Sequence, residues 1–182
     1  SRERDTADPV PTILVKSADG GNTWALGVLI GYTTASRVII GEPSICFIGT
    51  DLHVIGRTAT TAINHFKSTD GGDTWTQEAN IPLLTASSKP SMINEGANTT
   101  AVFAVSLPSQ VAGTAATART TLGIYRTNDF TTITKFNKTI SATYCHYPSL
   151  CYYNGHLYIS YTKGLTYPTP PDRDAIYFKK IY

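Results

Sequence analysis

The chain has 182 residues, enough for one domain with a real core. Only 15% of them are charged and the net charge is +2, so no basic stripe points to nucleic acid, and no apolar run approaches the ~20 residues of a membrane span. The balance is rich in Thr, Ser, Gly and Tyr, which favours strands and turns over helices.

The opening "SRERDTADP" is polar and is not a signal peptide, and no Met leads it, so a processed or excised segment is expected. An apolar run from Ile13 leads into "SADGGNTW" (Ser17 to Trp24), and nearly the same octapeptide, "STDGGDTW", returns at Ser68 to Trp75. Repetition of this kind marks a recurring supersecondary unit. In each copy Asp19 or Asp70 is placed to accept backbone N–H bonds, the glycines permit positive φ, and Trp24 or Trp75 supplies a large apolar anchor between neighbouring units.

A second phrase sets the phase of the repeat. "EPSICF" begins at Glu42, "KPSMIN" at Lys89 and "YPSLCY" at Tyr147. Each meets a turn signal ("GTD" at Gly49, "EGAN" at Glu95, "NG" at Asn154) and then a run such as "LHVIG", "AVFAVS" or "LYISY", which reads as a hairpin. A third run follows in every copy: "AINHFKS" from Ala62, "TLGIYRT" from Thr121 and "AIYFKKI" from Ala175. The unit is thus three or four antiparallel strands in about 50 to 60 residues, the size of a propeller blade, with the octapeptide between strands three and four. In the third unit "TNDFTTIT" keeps only Asp129 of the octapeptide, a degenerate turn.

Cys46, Cys145 and Cys151 show no CxxC spacing and are odd in number, so buried free cysteines on strands are expected. The four histidines show no metal spacing; neither a metal nor a cofactor is expected. A residue before Pro is biased to extended backbone, and the inner strand of a blade begins near the propeller axis. Glu42, Lys89 and Tyr147 are therefore expected to converge on one funnel.

S-x-D-x-G-x-T-W is the Asp-box, and two clean copies in consecutive four-stranded units resemble the sialidase (neuraminidase) superfamily. The resemblance implies an all-β, six-bladed β-propeller of which this chain covers about three to four blades: the outer part of one at 1–35, then blades at 36–84, 85–140 and 141–182. So few blades cannot close a ring, so the remainder is expected from missing sequence or from another chain, a homo-oligomer included.

The resemblance also implies a site. Sialidases use a Tyr nucleophile activated by a Glu, and Tyr147 and Glu42 look like that pair. Tyrosine, with an ordinary pKa of ~10, needs such a base. The family clamps the sialic acid carboxylate with arginines, whose planar fork suits it. Arg57, one hairpin after Glu42, and Arg119, in "ARTTLGIYR", resemble two of these, and Arg173, in "DRDAIYF", sits one blade later at the position of Arg119. Asp8, beside Asp5, precedes the first box and is the candidate acid; nothing here matches the family's first arginine.

The function so implied is glycoside hydrolysis of α-ketosidic bonds of sialic acid, acting on sialylated glycans as an exo-sialidase or on polysialic acid as a phage-type endosialidase. The latter needs only a Glu and two arginines. A secreted or virion-associated protein is expected. The alternatives are a non-catalytic glycan-binding propeller and a structural Asp-box propeller.

Overall fold

The computed structural model describes residues 12–31, 40–58, 60–96, 99–108, 119–136, 140–141, 145–163 and 175–182. The first octapeptide joins β1 (Thr12–Lys16) to β2 (Ala25–Ile30) in a two-stranded antiparallel sheet. β3 (Gly41–Ile48), β4 (Asp51–Arg57), β5 (Ile63–Ser68) and β6 (Thr76–Gln77) form a four-stranded sheet in that spatial order. β7 (Ser91–Asn94), β8 (Ala101–Leu107), β9 (Thr121–Thr127) and β10 (Ile133–Lys135) repeat it, and β11 (Ile140–Ser141) pairs with β9 on the same edge as β10. β12 (Cys145–Tyr153), β13 (His156–Lys163) and β14 (Ala175–Lys180) make a three-stranded sheet.

The fold is all-β, with the sheets stacked face to face in chain order. Ile30 packs with Ile40, Val54 and Phe66 between the first and second sheets. Ile55 and Ile63 meet Met92, Phe103 and Phe130 between the second and third, and Ala104, Leu122 and Ile124 meet Leu150, Leu157 and Ile159 between the third and fourth. The third sheet is thus covered on both faces, which is why β8 is apolar along nearly all its length rather than alternating. The outer face of the first sheet leaves Leu26 open to solvent, and that of the last leaves Phe178 82% exposed.

The Pro-Ser serines join the sheets. Ser44 Oγ accepts the Met92 N–H (2.9 Å), and one sheet later Ser91 Oγ accepts the Leu150 N–H (3.0 Å). Each hydroxyl satisfies a backbone donor two residues after the next proline, in the otherwise apolar seam between sheets.

The octapeptides fold as the spacing predicts. Asp19 Oδ1 accepts the Thr23 N–H and Asp70 Oδ1 accepts the Thr74 N–H, at 2.8 and 2.9 Å. Trp75 is partly buried between the first two sheets, whereas Trp24 is 64% exposed, so only one of the two expected anchors is packed. The third turn is less degenerate than its sequence. Thr127 Oγ1 takes the serine's part, accepting the Phe130 N–H at 2.7 Å, and Asp129 Oδ1 accepts the Thr132 N–H at 2.8 Å. The turn is one residue shorter, and Phe130, at φ +60°, sends its ring into the core. Cys46 and Cys145 are buried free thiols, which burial pushes up to about 12 and about 11; Cys151 is exposed, contrary to expectation, because it lies on the uncovered outer face of β12.

Candidate active site

Because strands are antiparallel, the starts of β3, β7 and β12, the end of β4 and the residues before β9 lie at one end of the stack, and the octapeptide turns lie at the other. At the first end two strands break their ladder in the same way. Gly41 faces Arg57 and Ser44 faces Ile55, so Glu42 and Pro43 together oppose Gly56. In β12, His146 faces Thr162 and Ser149 faces Ser160, so Tyr147 and Pro148 together oppose Tyr161. Each is a β-bulge, a device that re-aims a side chain.

The first residue of each bulge is left-handed: φ is +49° at Glu42 and +51° at Tyr147. This overturns the extended backbone expected before proline. The bulge imposes it, and Pro, with no N–H to lose, fills the second place. A left-handed non-glycine costs on the order of 1 kcal/mol or more, and here that strain presents a carboxylate and a phenol at matched positions. Lys89 does not share the geometry: pairing starts cleanly at Ser91 opposite Ala104, and the left-handed residue of that segment is Ser87, at φ +47°.

Arg57 ends β4 beside Glu42, its Nε 2.7 Å from Glu42 Oε2. The contact is an ion pair by proximity, since the Nε–H lacks a well-directed hydrogen bond, and both side chains are about a third exposed. Its net stabilisation is therefore under about 1 kcal/mol. Gly41 makes room for the arginine stem: a Cβ there would stand 3.1 Å from Arg57 Cγ and 3.2 Å from Nε.

Arg119 forms the second pair. Its Cζ lies 5.6 Å from the centroid of the Tyr147 ring, within cation–π range. The Tyr147 ring also meets His146 edge-on at 4.9 Å. The Arg119 carbonyl accepts the Cys145 N–H at 2.7 Å, which ties the lead-in of β9 to the start of β12. Arg119 Nη2 donates to the Ser87 carbonyl at 3.0 Å, and Ser87 Oγ donates to the Thr58 carbonyl, next to Arg57, also at 3.0 Å. Ser87 thus bridges the two pairs.

The two pairs bring two guanidinium groups, one carboxylate and a 43%-exposed tyrosine to the same end of the stack, a surplus of positive charge suited to an anionic ligand. Asp8 and Arg173 lie outside the described residues. Among the described residues no group of three or more His, Cys, Asp or Glu could hold a metal, and no helix is long and apolar enough to cross a membrane. Ser87 and His146 carried no motif. Only the polar run "TASSKPS" flags a segment that must find hydrogen bonds when buried.

No protein-family model and no curated protein matches the sequence. Solved structures do match. Trypanosoma rangeli sialidase in complex with sialic acid superposes with a TM-score of 0.67 at 18% identity, over 93% of this chain and 27% of that one. The same enzyme with 2,3-difluorosialic acid, a covalent intermediate, gives 0.67 at 17% identity over 93% and 26%. The K499G mutant of NanB sialidase from Streptococcus pneumoniae gives 0.59 at 18% over 85% and 24%. The chain has a sialidase-like fold and spans about a quarter of the length of these chains.

Proposed function

We propose that the chain is part of a six-bladed sialidase-type propeller whose reaction is hydrolysis of α-ketosidic bonds to sialic acid. The observation that carries this reading is the matched pair of strained bulges, which set Glu42 and Tyr147 at equivalent positions with Arg57 and Arg119 beside them. The four stacked sheets support three to four blades within 1–35, 36–84, 85–140 and 141–182. Sialylated glycans or polysialic acid would be the partners, met outside the cell or on a virion.

Arg57 and Arg119 would bind the sugar carboxylate and favour the flattened oxocarbenium-like transition state. The Tyr147 phenolic oxygen bonds to the anomeric carbon as its proton passes to Glu42. The aglycone oxygen leaves with a proton from Asp8. Water then attacks the glycosyl-tyrosine, giving a proton back to Asp8, and the phenol is regenerated with the proton held on Glu42. A neutral phenol suits a substrate whose reacting carbon bears a carboxylate, because no like charge approaches it.

The test is hydrolysis of a fluorogenic sialoside and of polysialic acid by the protein that carries this chain. Glu42→Gln and Arg57→Ala should each lower kcat/KM by at least ~100-fold. Release from the sialoside selects exo cleavage, and cleavage of the polymer alone selects endo cleavage. Binding of either without cleavage selects the glycan-binding module. Cleavage unchanged in both variants would overturn the site.

A further inference from the structure

We infer that Ser87 is the positioning residue of this site: its left-handed backbone holds Arg119 over Tyr147 and ties that arginine to the end of the Arg57 strand. The inference rests on the reading of the two arginines as a carboxylate clamp.

Thr85, Ser87 and Ser88 are polar yet buried at the seam between the second and third sheets. Their segment is anchored from both sides, since the Thr85 N–H donates to the Thr61 carbonyl and the Ala86 N–H to the Ser106 carbonyl, each at 2.8 Å. Those bonds fix where Ser87 stands. Its φ of +47° is unfavourable for a residue with a Cβ, so the surrounding contacts hold it there. In that conformation its carbonyl takes an N–H of Arg119, and its hydroxyl donates to the Thr58 carbonyl.

A guanidinium carries five N–H groups, so one bond to Ser87 leaves the others for a ligand while removing the freedom of a long side chain. The same bond sets the charge of Arg119 beside the Tyr147 ring. Because Ser87 also reaches the carbonyl after Arg57, the spacing of the two arginines depends on one residue that would not itself touch substrate.

The test compares Ser87→Gly, Ser87→Ala and Ser87→Val in nitrogen-15-labelled protein, reading the Arg119 guanidinium resonances, assigned with Arg119→Lys. Gly and Ala both lack the hydroxyl but differ in tolerance of positive φ, and β-branched Val tolerates it least. The slowed, resolved Arg119 signals should persist in Ser87→Gly, weaken in Ser87→Ala and vanish in Ser87→Val. In the same samples the Kd for sialic acid should rise a few-fold in the Gly variant, which keeps the carbonyl but loses the hydroxyl bond to Thr58, and roughly tenfold in the Val variant. At a positive φ stability follows the same Gly, Ala, Val order, so the readings are taken where denaturant titration shows every variant folded, and a change in the Arg119 signals there is positioning and not unfolding. If Ser87→Val does not fold, judged by circular dichroism, the Gly-over-Ala order decides. Arg119 signals indifferent to residue 87, or lost in the Gly variant, would overturn the inference. Arg119 signals that follow residue 87 across the variants but do not respond to sialic acid in the wild type would support the positioning and overturn the clamp.

Discussion

Arg57 Nε stands 2.7 Å from Glu42 Oε2 across a β-bulge whose first residue is Glu42 itself. The strain that turns Glu42 out of its ladder and the charge that meets it are therefore one local device. It follows that function and stability should separate at this residue. Glycine at position 42 relieves the left-handed φ and loses only an ion pair whose side chains are each about a third exposed. Glu42→Gly should leave unfolding free energy unchanged or raise it by up to ~1 kcal/mol in denaturant titration while abolishing sialoside hydrolysis. A loss of stability of several kcal/mol would show that the bulge is held by the Glu42 side chain.

Gly41 tests the same device from beneath. Its φ is not left-handed, so alanine is tolerated by the backbone, but the new Cβ crowds Arg57 Cγ and Nε. Gly41→Ala should cost under ~1 kcal/mol of stability yet weaken sialic acid binding by about tenfold, because displacement of a clamping group is felt far more by binding than by folding. Titration calorimetry on a variant of unchanged thermal midpoint is the check.

Between the sheets, Ser44 and Ser91 each satisfy a backbone N–H of the neighbouring sheet. Removing the hydroxyl leaves that donor without its acceptor in an apolar seam. Ser44→Ala and Ser91→Ala should each destabilise by about 1–3 kcal/mol. The serines sit in different seams, so the double variant should show nearly additive loss by denaturant titration.

Acid should weaken the fold in two stages. His53 Nδ1 and His65 Nε2 lie 2.9 Å apart, and both rings pack on Phe130. Burial lowers both imidazoles. His65 falls to about 4, helped by the charges of His53 and Lys67; at His53, Asp51 opposes the fall and Lys67 adds to it. The unfolded chain, whose histidines titrate near 6.5, binds protons first as pH falls. Stability from this pair is full above about pH 6.5 and is lost toward pH 4. A second loss follows as the turn aspartates protonate. Backbone and hydroxyl hydrogen bonds from Thr23 and Ser17 lower Asp19 to about 2, and like bonds lower Asp70 and Asp129. Their stabilisation is present above the ordinary value of 3.8 and vanishes as pH falls through the lowered ones. Denaturation midpoints measured from pH 7.5 to 3 should fall between 6.5 and 4 in the wild type and much less in His65→Gln.

The repeat was legible because hairpins are encoded locally. Pro-Ser, a Gly or Asn turn and an apolar return place β3–β4 and β12–β13 from neighbouring residues alone. The bulges were not legible. Whether Glu42 or Lys89 turns left-handed depends on which residue of the facing strand it opposes, and identical Pro-Ser phrases give a bulge in one sheet and a clean ladder in the next. Thr127 could replace a serine unnoticed because a hydroxyl, not a residue name, is what the turn needs. Ser87 was invisible because its part is played by a carbonyl, which every residue has.

In the proposed reaction Tyr147 attacks the anomeric carbon of sialic acid within reach of Glu42 and the two arginines. The most direct measurement is incubation with 2,3-difluorosialic acid followed by mass spectrometry of the digested protein. Fluoride leaves without help from an acid, so trapping depends on the nucleophile, its base Glu42 and the clamp, and not on Asp8. A sialyl adduct on the peptide holding Tyr147, absent in Tyr147→Phe and much slower in Arg119→Ala, is the predicted result. Turnover of a sialoside by the same protein with no adduct on Tyr147 would contradict it.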